Sequence, residues 1–227
     1  TRKLDGAAME TLVERSADNP FFLEELAYAS KSGNDPATDV PGSVQAVIES
    51  RIAGLAPQGR ALLYAIAVIG TPAPTPLFSA LLKLDPGAVE SRLKQLTTAG
   101  FLTVDEDGAT FRHMLLHETA YAMLSPDDRA NLHGEVALLL EAEHELPLPE
   151  ILAWHWQEAG EKDRAIGYWT KASNAALYRA AGRAAISFAQ KGLDLIEPTR
   201  PDSARQEQNL QLSLAAALMT RLGYGAD

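Results

Sequence analysis

The 227-residue chain contains no cysteine at all. That excludes a disulfide framework and a thiolate zinc site, and it suits a reducing compartment. Nor does any unbroken apolar run reach the roughly eighteen residues of a membrane span. The first residues, TRKLDGAAME, lack the apolar core of a secretory signal. A cytoplasmic protein with no membrane partner is the expectation. Two patterns that mark chemistry are missing as well, the GxxxxGK[ST] phosphate loop and the GxSxG nucleophile elbow. No catalytic template fits, so no enzyme activity is expected of this segment.

Positive charge is in short supply too. The formal net charge is -10, and residues 150–227 carry nine acids against nine bases, so the whole acidic excess lies in residues 1–149. Binding a phosphate backbone draws on clustered Lys and Arg. The N-terminal two thirds has the wrong sign for it.

What the chain does have is apolar content, 46% of its residues, enough to bury one large core or two smaller ones. It begins with Thr1 and is soon inside a helical pattern (Leu4, Met9, Leu12, Val13), which reads as a piece of a longer protein. Asn19-Pro20 then offers a cap and a first-position proline for FFLEELAYAS. Residues 31–43, KSGNDPATDVPGS, have no period and read as an exposed connection.

Ser43 is positioned to cap a helix bearing Val47, Ile48 and Ile52, and Pro57 to open another with Leu62, Leu63, Ile66 and Ile69. Thr75-Pro76 and Asp85-Pro86 repeat the pairing of cap and proline for two more. Gly100 closes the last of these, and FLTV, the acidic turn Asp105-Glu106-Asp107-Gly108 and ATF form a hairpin. Helices followed by a hairpin predict a winged helix.

The stretch 111–124, FRHMLLHETAYAML, changes from extended to helical spacing within two residues. His113 stands at that junction, where a side chain can look into a cleft. Ser125-Pro126 opens a further helix with Leu132, Val136, Leu139 and Leu140 on one face. The prolines of Leu146-Pro147-Leu148-Pro149 mark a boundary, and beyond it Ala165-Ile166 recurs as Ala185-Ile186, and Lys171-Ala172 as Lys191-Gly192. A twenty-residue spacing suits one helix plus a turn, so stacked helices are predicted near 150–159, 162–180, 182–197 and 203–222. Gly223-Tyr224-Gly225 reads as a turn.

Several residues invite a chemical role. The 86–99 helix could enter a DNA groove, but it offers only Arg92 and Lys94 against Glu90, and the hairpin tip is three acids. His113, His117 and Glu118 lack the spacing of the zinc-protease motif and any further ligand nearby, so no metal is expected. His133, His144 and His155 look unremarkable, and Trp154, Trp156 and Trp169 read as core.

Taken together, these segments resemble the C-terminal half of a signal-transduction ATPase of the STAND type, as found fused to class III adenylate or guanylate cyclases and in LuxR/MalT-like regulators. ADNPFFLEELA is similar to the family's GNPFFLEE segment, and DVPGSVQAVIESRIAGLAP to its VPxSLxxLIxxRLxxL continuation. FRHMLLHETAYAMLSPDDRANLHGEVALLLE is similar to FxHxLxxxxxYxxL…RxxLHxxxAxxLE, and WQEAGEKDRAIGYWTKA to a tetratricopeptide repeat. The resemblance implies a mainly α fold: residues 1–43 as the helical lid of an upstream ATPase domain plus linker, 44–146 as a winged helix, and 147–227 as tetratricopeptide-like repeats.

It also implies ATP or ADP bound in the parent protein, none by this segment alone, and two nucleotide-facing positions, Pro20 and His113. They correspond to the proline of a GxP motif and the histidine of an MHD motif. Asp18 stands where the first has glycine, and Arg112 and Met114 replace the Met and Asp flanks of the second. The implied partners are the upstream nucleotide-binding domain and a protein or peptide on the repeats, with no nucleic acid through this segment. The rival expectation is a stand-alone tetratricopeptide scaffold that mediates protein-protein interaction. A DNA-binding regulator would call for a basic helix-turn-helix after residue 227.

Overall fold

A computed structural model describes residues 19–31, 43–70, 72–106, 108–143, 147–199 and 203–222. The expected helix around Leu4 to Val13, the connection over 32–42, His144 and the turn at Gly223 lie outside them. The described residues form a mainly helical protein of eleven helices and one two-stranded sheet. Two compact units divide it, one running to Ser125 and the other starting at Pro126.

In the first unit the helices are α1 (Pro20–Lys31), α2 (Val44–Ala53), α3 (Pro57–Ile69), α4 (Thr75–Leu82), α5 (Pro86–Thr98) and α6 (Met114–Ala122). Local chemistry sets most of their starts. Asn19 Oδ1 accepts from the backbone N–H of Phe21 and Phe22, Ser43 Oγ from Ala46 and Asp85 Oδ1 from Ala88. Thr75 departs from the pattern: it is the first helical residue, and Pro74 occupies the cap position with no side-chain bond. Proline's fixed φ suits that extended position, so the helix begins one residue early.

Helix α3 is buried without a break from Ala65 to Ile69, as suits a helix enclosed on all sides. Phe78, Phe101, Leu62, Leu63, Leu96 and Leu116 are among the largest side chains sealed in this unit. Phe22, Leu26 and Ala29 of α1 pack with Val47 of α2 in a cluster of their own.

The hairpin pairs β1 (Leu102–Val104) with β2 (Ala109–Phe111) antiparallel, Leu102 opposite Phe111 and Val104 opposite Ala109. Its turn is closed by Asp105 and Gly108, whose backbones bond each other in both directions. Gly108 has φ 133°, and a Cβ there would lie 2.5 Å from the Ala73 carbonyl oxygen. Only glycine fits.

The second unit holds α7 (Pro126–Ala142), α8 (Pro149–Glu158), α9 (Lys162–Tyr178), α10 (Gly182–Asp194) and α11 (Ser203–Leu222). Each packs on the next. Sequence placed a boundary at Pro147, but α7 belongs with the helices that follow it. The reason lies in its face: Ala137 is sealed in one cluster with Leu152, Ala153, Trp156 and Trp169, and the Trp156 indole N–H donates to Glu141 at 2.9 Å.

The twenty-residue recurrence marks equivalent depths. Ala165 and Ala185 are both fully buried. At Gly192 a Cβ would come 2.8 Å from a Leu210 methyl, so glycine lets α11 approach α10.

Candidate functional site

The strand-to-helix junction builds the site. Pairing continues one residue past β2, where the Arg112 N–H donates to the Phe101 carbonyl at 3.0 Å. His113 is then extended (φ -145°, ψ 142°), and its Nδ1 accepts from the Leu115 N–H at 3.1 Å, capping α6. An accepting Nδ1 has a bare lone pair, so the neutral ring carries its proton on Nε2. The imidazole is exposed.

Helix α1 lies against this junction. The Phe21 ring stacks on His113 with centroids 3.9 Å apart and planes 18° from parallel. Pro20, the residue before it, is exposed as the first residue of α1. So the segment that bears one implied position rests on the other. From the same side Arg112 donates to the Tyr28 hydroxyl at 2.7 Å and to Glu24 at 3.0 Å. Arg112 and Glu24 are about half exposed, so this pair is worth under about 1 kcal/mol and orients more than it stabilises.

A buried link does more. The Arg51 guanidinium donates to Glu25 and to the Ala99 carbonyl, and it sits 4.8 Å from the Tyr28 ring centroid and 4.4 Å from that of Phe101. Both side chains of the pair are nearly sealed. Burial pushes the Glu25 carboxyl above its usual range, and the Arg51 charge and hydrogen bond pull it back. Gly100 makes room here: at φ +79° its missing Cβ would fall 2.3 Å from the Tyr28 ring.

His117 does a different job from His113. Its Nε2 bonds the Ala67 carbonyl at 2.9 Å, and its ring meets Phe111 edge-on at 5.3 Å. Among the described residues no group of three or more His, Asp or Glu is placed to hold a metal ion. The contacts of Phe21 with His113, and of Tyr28 and Glu24 with Arg112, escaped sequence reasoning. The partners of Arg112 lie about 85 residues from it, and no local pattern signals such a contact.

In the second unit His133 and His155 are a buried pair, Nδ1 to Nδ1 2.9 Å, with Trp154 edge-on to His133 at 4.8 Å. Both are fully sealed. Burial, with Arg129 adding repulsion, lowers His133 to about 4; burial, with His133 adding repulsion, lowers His155 to about 3. A signal was present: His133 precedes Val136 and Ala137 by three and four residues, the spacing of one helix face.

No helix of the described residues is long and apolar enough to cross a membrane. No family model, curated protein or solved structure matches the chain.

Proposed function

We propose that this chain is a regulatory, non-catalytic segment of a nucleotide-switched signalling ATPase of the STAND type. It couples an upstream ATP/ADP-binding domain to a helical-repeat region, with a class III nucleotidyl cyclase or transcription as the output. In this reading α1 is the helical lid, α2 to α6 with the hairpin are the winged helix, and the helices from α8 onward are tetratricopeptide-like repeats. The observation that carries it is the exposed His113 ring, held by its cap and by Phe21 of α1, with Nδ1 accepting so that the neutral ring's proton is on Nε2.

An N–H donor on an exposed ring fits a phosphate oxygen, and an exposed proline fits a nucleobase. Pro20 and His113 would hold the nucleotide together with walls from the upstream domain. A ligand that binds one conformation better moves the balance by that differential affinity, so a diphosphate held by His113 would favour the closed state. A protein partner on the second unit is supported by the exposed Tyr178, Leu212 and Met219.

The test is His113→Ala in the parent protein. A hydrogen bond to a charged group is worth about 1.5–3 kcal/mol, so ADP should bind roughly 10- to 100-fold more weakly and basal output should rise. Unchanged ADP affinity with unchanged output sinks the reading. A parent coding sequence with no phosphate loop upstream would favour the scaffold alternative.

A further inference from the structure

On the same strand-to-helix stretch as His113, but without His113 in its lining, the first unit contains a cavity of about 200 Å³. The end of α3, strand β2 and the first turns of α6 form its walls and leave one side open to solvent. Ile66, Ala109, Thr110, Phe111, Met114 and His117 line it, a wall that is mostly hydrocarbon.

Its polar groups are nearly all spoken for. The Thr110 hydroxyl pairs with that of Thr103 at 3.0 Å. His117 Nε2 lies 2.9 Å from the Ala67 carbonyl, and a carbonyl only accepts, so the ring proton is on Nε2. Nδ1 is therefore a bare acceptor. It is shut off from solvent and has no hydrogen-bond partner among the described residues. Such a group is an unmet demand for one donor.

One wall can move. Met114, three residues before His117 on the same helix, is 66% exposed, and an unbranched thioether adapts to what it touches. Because Met114 and His117 line the same cavity, movement of Met114 is the route by which a donor would reach Nδ1.

We propose that this cavity binds a small planar aromatic molecule carrying a single N–H or O–H donor, of the indole or phenol class. Its ring fills the space between Ile66, Phe111 and Met114, and its donor meets His117 Nδ1. Size sets the class. A cavity of about 150 Å³ takes benzene, whereas drug-sized sites run to about 300–1,000 Å³. The volume here suits one or two fused rings and is too small for a helix. The inference stands apart from the nucleotide reading, since none of its residues is Pro20 or His113.

The experiment titrates the 227-residue chain with indole and with benzofuran, which has the same shape but no donor, following the Ile66 methyl resonances by NMR. Indole should shift them saturably, and benzofuran should bind about 3- to 10-fold more weakly, the worth of one net hydrogen bond. His117→Phe keeps a ring and removes the acceptor, so it should erase that difference. Met114→Glu, at a largely exposed position, should weaken both probes at least about tenfold by placing a charge at the mouth. An absent or non-saturating shift, equal affinity for the two probes, or indifference to Met114→Glu would each overturn the proposal.

Discussion

His133 and His155 convert burial into a dependence on acidity. Both are neutral, folded or unfolded, above about pH 7. Their folded values are depressed, to about 4 and about 3, below the ordinary 6.5. As pH falls through 6.5 the unfolded chain takes up protons that the native pair refuses, so stability falls with pH until about 4 and then about 3. The full loss is on the order of 3 kcal/mol for His133 and on the order of 5 kcal/mol for His155. All three tryptophans lie in the second unit, so their fluorescence reads its urea unfolding selectively. The midpoint should drop steadily from pH 6.5 to 4, and His155→Phe should flatten that slope. A midpoint independent of pH over this range would show that the pair is not sealed.

Between elements, the link that matters joins α1 to α2 and the end of α5 through Arg51. Arg51→Met leaves the Glu25 carboxyl sealed without its partner, and removing one member of a buried pair costs about 3–5 kcal/mol. Glu25→Leu combined with Arg51→Met should cost much less than either change alone, because no orphaned charge remains. Amide exchange at Leu26 and Ile48 measures both; a double variant as damaged as the sum of the singles would refute the coupling.

This link also marks where sequence stopped being informative. Asn19, Ser43 and Asp85 were readable as caps because each acts within three residues, and Asp105 to Gly108 was readable as a turn for the same reason. Glu25 and Arg51 meet across 26 residues, and His133 and His155 across 22. Thr75 misled because a proline on its N-terminal side competes for the cap position. The place of α7 was hidden because the prolines at 147 and 149 look like a boundary, while Ala137 and Glu141 engage what lies beyond them. His113 could be picked out as a junction residue, but its stack on Phe21 could not.

At the scale of the whole molecule, the proposed role requires a nucleotide site that this chain only half builds. Calorimetry of the 227 residues with ADP or ATP should give no binding heat up to about millimolar concentration. Micromolar affinity would mean that the pocket is complete without an upstream domain, against the reading of Pro20 and His113 as one wall of it.

The near-parallel stack of Phe21 on His113 has a spectroscopic corollary. The circulating electrons of the phenyl ring must shield the imidazole carbon-bound protons and displace their resonances upfield. The first helix thus writes its docked position into the spectrum of one histidine. If α1 lifts away from His113, those two lines will lose that upfield displacement, and no introduced label is needed to see it.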